Sequence, residues 1–347
     1  MTIASSMHIP ILDLSGLSAD ALRNASSLGQ AVDAALSDVG TFIVIGHGIP
    51  HSTLAAVESS ARAFFDEPSA TKRRAARPQK PAVARGYFNV PPNEVSVMGM
   101  ERFSFGAWDC DTSDSYYGAP EGREHFPPNM FPAEHAAFEQ AARTYFGCVQ
   151  DVSGKLAILF ELALSLPAGT FVDPLIGSTG TATAIRYPGG PRTVPGDVRI
   201  MAHNDVDLYT ILWISECVRT DLVFLDRHDQ WNEVSAVPDG LIVNVGDLMQ
   251  RHTNDRWLAT SHKVLAPSGT DADHDRFSLA YFEHPRYDSE VAPLVPAGSD
   301  AHYPSVRVAD FERQRRMLIH LGASAVTEEL IAPIERRLGP SATGRKT

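Results

Sequence analysis

Three runs of sequence decide the fold of this chain. Residues 201–212 read MAHNDVDLYTIL, residues 241–264 read LIVNVGDLMQRHTNDRWLATSHKV, and residues 275–282 read DRFSLAYF. Each run contains a short β-branched or apolar segment, and residues 181–187 and 222–225 carry further segments of this kind. Glycine, proline and aspartate separate the segments. Many short strands with turn signals between them predict a β-sandwich or barrel, a class that includes the double-sheet jelly roll.

The N-terminal part of the chain predicts a mixture of strands and helices. Strands are predicted over 9–14, 41–45, 86–88 and 101–106, and helices over 27–37 and from Ser52, its N-cap, onward. Residues 133–166 carry apolar side chains at steps of three and four, and Pro167 ends that pattern. We therefore predict an α+β, mainly β, protein. A jelly-roll core is flanked by helices, including one long scaffold helix.

The chain shows no internal repeat and no linker that would divide it into independent domains. We therefore predict a single catalytic unit over 1–347. Within it we expect a helix-rich N-terminal portion over 1–170, a jelly-roll core with a metal site over 171–290, and a C-terminal helical segment over 291–347.

Composition bounds the partners and the compartment. The formal net charge of −12 argues against a nucleic-acid partner and against an anionic membrane. No run approaches the roughly 20 apolar residues of a transmembrane helix, and the N-terminus lacks the pattern of a signal peptide. The three cysteines, Cys110, Cys148 and Cys217, lie far apart without a CxxC motif, which indicates a reducing compartment. We expect a cytoplasmic protein of undetermined oligomeric state.

Three side chains in the opening runs can bind a metal ion together. His203 and Asp205 are two positions apart, and His262 follows Asp205 by 57 positions (262 − 205). Residues i and i+2 of a strand point to the same face, so the first two can reach one ion. Two imidazoles and one carboxylate form the ligand set of non-haem Fe(II) oxygenases. The alternative is that these histidines are hydrogen-bonded core residues, which is common for a single histidine near an apolar run.

Arg276 and Ser278 share a face of the last run. An arginine that points into a protein core is costly unless a charge accompanies it. A bound carboxylate satisfies it through two charge-assisted hydrogen bonds, and the serine hydroxyl can add a third. An internal salt bridge to an aspartate or glutamate explains the local pattern equally well.

These segments resemble the isopenicillin N synthase-like family of Fe(II)/2-oxoglutarate dioxygenases. The resemblance rests on HNDVDLYTIL (203–212), GLIVNVGDLMQRHTNDRWLATSHKV (240–264) and RFSLAYFEHP (276–285). IPILDLSGL (9–17), VGTFIVIGHGIP (39–50) and ARAFF (61–65), followed by Lys72, resemble the N-terminal half of the same family. The resemblance covers most of the chain, to about Pro285, and it implies a double-stranded β-helix core.

The resemblance also implies roles for the five residues already singled out. His203, Asp205 and His262 match the catalytic iron ligands of the family. Arg276 and Ser278 match its RxS motif, which binds the distal carboxylate of 2-oxoglutarate.

Tyr187 matches a tyrosine that assists cosubstrate binding in the family. Four other positions depart from the family pattern. Ile185 stands where some members have an asparagine that touches the cosubstrate, and Asn204 stands where a threonine is common between the ligands. Asp207 replaces a common glycine, and Lys263 replaces an arginine while keeping the positive charge.

The resemblance implies that Fe(II), 2-oxoglutarate and O₂ act together on a small-molecule substrate in specialised metabolism. Decarboxylation of 2-oxoglutarate to succinate is coupled to hydroxylation, desaturation or ring closure of that substrate. The candidate substrate contacts are Phe103, Phe105, Asp207 and Phe282, each of which is also compatible with a packing or turn role. The sequence does not identify the substrate.

Three alternatives stay open at this point. An oxidase of the isopenicillin N synthase type uses Fe(II) and O₂ without 2-oxoglutarate and binds its substrate's carboxylate with the RxS pair. A zinc hydrolase can use the same three ligands. A non-catalytic small-molecule binding protein can be built on the same scaffold.

Overall fold

The computed structural model describes residues 9–76, 85–92, 99–108, 113–177, 179–189, 198–215, 220–226, 229–266, 275–295 and 298–321, with side chains to Arg315 in the last segment. Cys110, Cys217, residues 77–84 of the basic, proline-rich segment KRRAARPQKPAVARGYF (72–88), which the sequence predicts to be a surface loop, and the chain after 321 lie outside these ranges. No helix in the described part of the chain is both long enough and apolar enough to cross a bilayer.

The described residues form fourteen named strands and eight α-helices. The strands are β1 Ile11–Asp13, β2 Thr41–Ile45, β3 Gly86–Val90, β4 Met100–Gly106, β5 Thr181–Tyr187, β6 Val198–His203, β7 Tyr209–Ile214, β8 Leu222–Leu225, β9 Trp231–Glu233, β10 Leu241–Val245, β11 His262–Leu265, β12 Arg276–Glu283, β13 Glu290–Val291 and β14 Val306–Arg307. The helices are α1 Ala19–Leu22, α2 Ser26–Asp38, α3 His51–Phe65, α4 Ser69–Arg74, α5 Pro120–His125, α6 Ala136–Ala163, α7 Asp247–His252 and α8 Val308–Leu321.

Two sheets form the core. The larger has eight strands in the order β1-β2-β10-β7-β12-β5-β4-β3, and the smaller has four in the order β6-β11-β8-β9. Strands that are distant in sequence are neighbours in both sheets, as in a jelly roll. The predicted fold class is therefore confirmed. Four strands of the N-terminal portion, β1 to β4, belong to the larger sheet.

The two faces of the larger sheet carry different cores. Alternate residues of β12, namely Phe277, Leu279 and Tyr281, pack toward the helices. The residues between them point to the space between the sheets, where Ala280 joins a smaller apolar cluster with Ile185 and Tyr187. The space between the sheets is therefore lined by the face of β12 that carries Arg276 and Ser278.

The long helix predicted over 133–166 is confirmed as α6, which covers Ala136–Ala163. Its N-terminal part buries one face, its consecutive residues 156–161 are all buried, and α2 and α3 pack against it. Helix α3 begins at His51 with Pro50 as its N-cap, so the prediction of Ser52 as N-cap is wrong. Proline fixes φ near the value required there and needs no amide partner.

Candidate metal centre

The three predicted metal ligands come together at one end of the space between the sheets. His203 is the last residue of β6 and lies directly opposite His262, the first residue of β11. Asp205 lies two residues beyond the end of β6, in a loop, and not on a strand as the sequence predicted. Its Oδ1 is 4.0 Å from Nε2 of His203 and 3.9 Å from Nε2 of His262. One potential ligand atom from each residue lies within 4.8 Å of the others.

Both imidazoles are oriented by backbone carbonyl groups. Nδ1 of His203 is 2.9 Å from the carbonyl oxygen of Met201, and Nδ1 of His262 is 3.2 Å from that of Thr260. Because a carbonyl only accepts, Nδ1 is the donor in each of these hydrogen bonds, and Nε2 is the ring nitrogen that faces Asp205. Metal–ligand bonds of about 2 Å place ligand atoms roughly 3–4 Å apart, so the donor set fits one ion after small movements.

Asp205 is held by two side chains from the larger sheet. Thr210 donates its hydroxyl to Oδ2 at 2.6 Å, and Asn244 donates its amide to the same oxygen at 2.8 Å. These bonds leave Oδ1 to face the two imidazoles. Burial alone acts to raise the pKa of Asp205. The opposing effects of the neighbouring histidines and of the two donors prevail and lower the pKa, which keeps the carboxylate ionised.

The neighbourhood also keeps His203 neutral. Desolvation by the surrounding protein, followed by the charge of His262, lowers the pKa of His203 to about 4, although 40% of its side chain remains accessible to solvent. Asp205 acts in the opposite direction but does not outweigh them. A neutral imidazole is the form that binds a metal. His203 therefore does not have to release a proton before it binds an ion at neutral pH.

The loop that carries Asp205 is fixed by the turn before α7. The backbone N–H of Asp247 donates to the carbonyl of Asp205 at 2.8 Å, and that of Gly246 donates to Leu208 at 3.0 Å. A Cβ at position 246 would lie 2.3 Å from the carbonyl oxygen of Asp207. Only glycine permits this approach. Asp207 itself is buried here, with Oδ2 accepting from Thr210 at 3.2 Å.

Asn204 lies between the predicted ligands His203 and Asp205. It connects their loop to the chain segment just before His262, the third predicted ligand. Its amide donates to the carbonyl of Ala259 at 3.0 Å, and its Oδ1 accepts from the hydroxyl of Ser261 at 2.5 Å. Both partners closely precede His262. This departure from the family pattern therefore links the two chain segments that carry the predicted metal ligands.

The predicted carboxylate site lies at the start of β12, on the face that points between the sheets. Arg276 is buried and stands opposite Tyr187 in the β12–β5 pairing, with its Cζ 5.1 Å from the centre of the tyrosine ring. Its Nε donates to the carbonyl of Thr220 at 3.0 Å, and its Nη1 is 3.5 Å from the hydroxyl of Ser278. Nη2 has no hydrogen-bond partner, and no carboxylate lies within 4.0 Å of the guanidinium, among the described residues. This geometry favours an anion site over the internal salt bridge.

Phe103 and Phe105 do not lie in this space. Both are fully buried on the helix side of the larger sheet, where Phe103 lies 4.7 Å from Phe131 and 5.0 Å from Phe138 between ring centres. The prediction that they line the substrate pocket is corrected, because the strand alternation turns them away from the metal ligands. Arg102, which precedes Phe103 on β4, stands opposite Ile185 and points to the space between the sheets instead.

Phe282 does face the interior. It stands opposite Thr210 in the β12–β7 pairing and packs against the apolar cluster that contains Tyr187. Because Thr210 holds Asp205, Phe282 lies on the part of the sheet next to the predicted metal ligands.

Sequence reasoning missed the residues that support the site from other strands. Thr210 and Asn244 hold Asp205, and the buried Arg199 donates through Nη1 to the carbonyl of Tyr187 at 2.9 Å. The available signals were an asparagine inside the apolar run 241–245 and an arginine four positions before His203. Neither signal identifies a partner.

Comparison with known families agrees with this geometry. Residues 9–134 match a family described as the N-terminal region of non-haem dioxygenases in morphine synthesis. Residues 180–285 match the 2OG-Fe(II) oxygenase superfamily. The second match contains all three predicted metal ligands together with Arg276 and Ser278.

Individual proteins show the same similarity. Validamycin A dioxygenase of Streptomyces hygroscopicus subsp. limoneus is 30% identical over 324 residues, which cover 87% of this chain and 84% of that protein. A 2OG-Fe(II) oxygenase family protein from Caulobacter crescentus has a TM-score of 0.79 at 25% identity, covering 90% of this chain and all of that one. A full-length Neurospora crassa protein, solved in complex with alpha-KG and 5-formyluracil, has the same fold. Its TM-score is 0.74 at 20% identity, over 91% of this chain and 99% of that one.

Proposed function

This chain belongs to the isopenicillin N synthase-like 2-oxoglutarate/Fe(II)-dependent oxygenases, and we propose which of its residues perform the reaction. Its relatives are non-haem dioxygenases that act on small molecules with Fe(II), 2-oxoglutarate and O₂. The observation that carries the assignment is the convergence of two imidazoles and one carboxylate on a common point.

We assign Fe(II) binding to His203, Asp205 and His262. Three protein ligands leave coordination positions open, as this chemistry requires. With 2-oxoglutarate, the bound metal supplies the activation of O₂ and the coupled oxidation of the substrate. The protein contributes the orientation of the ligands through Thr210 and Asn244, and the apolar cluster of Ile185, Tyr187 and Ala280 between the sheets.

We assign the distal carboxylate of 2-oxoglutarate to Arg276 and Ser278, with Tyr187 packing beside them. The support is the buried guanidinium whose Nη2 lacks a partner among the described residues. A carboxylate placed there receives charge-assisted hydrogen bonds from the arginine and one from the serine hydroxyl. Ile185 supplies no polar contact, so the cosubstrate depends more on the arginine.

The substrate lies on the metal-ligand side of this site. Phe282 is the predicted contact that faces the interior, and we retain it as such. For Asp207 we propose a structural role instead of a substrate contact, because its carboxylate is buried against Thr210 and the Gly246 turn. We propose that the whole of 1–347 acts as one catalytic unit in specialised metabolism and, from the cysteine usage, that it works in the cytoplasm.

The test is a screen of candidate metabolites for succinate release with Fe(II), 2-oxoglutarate and O₂. We expect succinate to form in proportion to the substrate consumed. Substrate loss with O₂ uptake but without succinate would indicate the oxidase alternative. Activity that persists anaerobically with Zn²⁺ would indicate a hydrolase, and tight binding without turnover would indicate a binding protein.

A further inference from the structure

The pairing of β6 with β11 is irregular at Arg199. Ile200 lies opposite Val264 and Val198 lies opposite Leu265, so two steps along β6 correspond to one step along β11. Arg199 is the extra residue between them, which is the arrangement of a β-bulge. Ile200 packs against the apolar clusters between the sheets, and Arg199 is only 1% exposed. The bulge thus places two consecutive side chains inside the protein, and one of them is an arginine.

The Arg199 side chain extends to Tyr187, the residue that stands opposite Arg276. Its Nη1 donates to the carbonyl of Tyr187 at 2.9 Å, and its Cζ lies 5.9 Å from the centre of the Tyr187 ring. The Cζ of Arg276 lies 5.1 Å from the same ring. Two guanidinium groups, from strands in opposite sheets, therefore contact one tyrosine.

This arrangement places two like charges in a buried region. Burial lowers the pKa of Arg199, and the positive charge of Arg276 lowers it further. Asp221, Tyr187 and Asp275 act in the opposite direction without restoring it. Two buried cations close to each other are costly unless an anion binds near both of them.

We propose that Arg199 is a second cosubstrate-binding residue, which acts with Arg276 on the distal carboxylate of 2-oxoglutarate. A carboxylate offers about four acceptor positions, more than one arginine fork and one serine hydroxyl use. The proposal rests on the proposed function, because it requires that 2-oxoglutarate binds at Arg276. With both arginines, the site selects an oxo acid with a negatively charged distal group more strongly than the RxS pair alone would.

Two oxo acids distinguish this role from a structural one. 2-Oxoglutarate and 2-oxopentanoate share the chelating end, but the second has a methyl group in place of the distal carboxylate. Binding of each is measured by calorimetry on the Mn(II)-loaded protein, which gives a readout independent of turnover. Arg199→Met is expected to weaken 2-oxoglutarate by about 10–100-fold, the loss of a charge-assisted contact, and to change 2-oxopentanoate by less than about twofold.

Arg251→Met is the matched control. Arg251 is also buried, also donates to a backbone carbonyl (Pro304, 2.9 Å) and also lies over a tyrosine ring (Tyr303, 4.6 Å). It is expected to leave the ratio of the two affinities unchanged. If Arg199→Met does not fold, as near-ultraviolet circular dichroism would reveal, Arg199→Gln takes its place with the same expected ratio.

An unchanged ratio in the Arg199 variant overturns the proposal, whether both acids bind normally or both are weakened equally. The second of those results would assign Arg199 to the packing of β6 alone. Failure of the unsubstituted protein to bind 2-oxoglutarate is a separate result, which overturns the proposed function and this inference with it.

Discussion

The side-chain amide of Asn244 donates to Oδ2 of Asp205 at 2.8 Å, although the two residues are 39 positions apart. Asn244 belongs to β10 of the larger sheet, and Asp205 lies in the loop that connects β6 of the smaller sheet to β7 of the larger one. The bond therefore anchors this connecting loop to the larger sheet beside the candidate metal centre. It also selects which oxygen of the carboxylate faces the imidazoles.

Asn244→Ala is expected to weaken Fe(II) or Co(II) binding by about 10–100-fold, because the carboxylate loses one of the donors that orient it. Equilibrium metal titration measures this directly. Asn232→Ala is the control, since Asn232 is also buried and donates to a carboxylate, that of Asp226, at 2.9 Å. Equal metal affinities in the two variants would remove the orienting role.

His262→Ala is expected to abolish Fe(II) binding and succinate formation. The remaining His203 and Asp205 would present two ligand atoms instead of three. His302→Ala provides the comparison, because His302 is an exposed histidine paired with Asp255 at 2.7 Å. A His262→Ala protein with normal turnover would refute the assigned triad.

Arg276→Met is expected to raise the concentration of 2-oxoglutarate needed for turnover sharply. Loss of one partner of a buried charge pair costs roughly 2–5 kcal/mol. The measurement is the apparent KM for 2-oxoglutarate, with Arg286→Met, which loses a pairing with Asp114 outside the site, as the reference. An unchanged requirement for 2-oxoglutarate would support the oxidase alternative.

Phe103→Ala and Phe282→Ala are expected to have different effects. The first leaves a cavity among the rings on the helix side and is expected to lower the free energy of unfolding by about 3–5 kcal/mol. It is expected to leave substrate KM unchanged at temperatures where the protein is folded. The second changes the space between the sheets, so we expect it to alter KM for the metabolite identified by the succinate screen. Denaturant unfolding and steady-state kinetics on both variants test the distinction. A change in substrate KM for Phe103→Ala would contradict the corrected placement.

His47 is expected to make stability depend on pH. The N–H of Ile49 donates to Nδ1 of His47 at 3.0 Å, and Nε2 is 2.8 Å from the carbonyl of Asp239, so the folded ring is neutral. Burial, the largest effect, lowers the pKa of His47 below 6.5.

As the pH falls, His47 of the unfolded chain therefore binds a proton near pH 6.5, whereas His47 of the folded protein stays neutral to a lower pH. The contribution of His47 to the free energy of unfolding is complete above pH 6.5 and decreases as the pH falls below it. His47→Gln is expected to flatten this decrease when urea unfolding of metal-free protein is followed from about pH 7.5 to about pH 5.5. Parallel curves for the two proteins would exclude the effect.

Local periodicity explains why the bounds of several strands were predicted correctly from the sequence. The strands 41–45, 181–187, 222–225 and 241–245 have the predicted bounds, because β-branched runs end at turn residues there. The alternation in 276–282 correctly placed Arg276 and Ser278 on one face. The types and order of the potential metal ligands were legible for the same reason, since each motif is short.

The sequence by itself therefore determined the fold class, the family and the three side chains that converge as candidate metal ligands. Only the tertiary structure decided that Phe103 faces the helices, that Asn244 holds Asp205, and that Arg199 turns inward. The physical reason is that the alternation of inward and outward side chains can be read from neighbouring residues along one strand. A side chain's final position also depends on the register with strands far away in the chain, and a single extra residue, as at Arg199, changes that register.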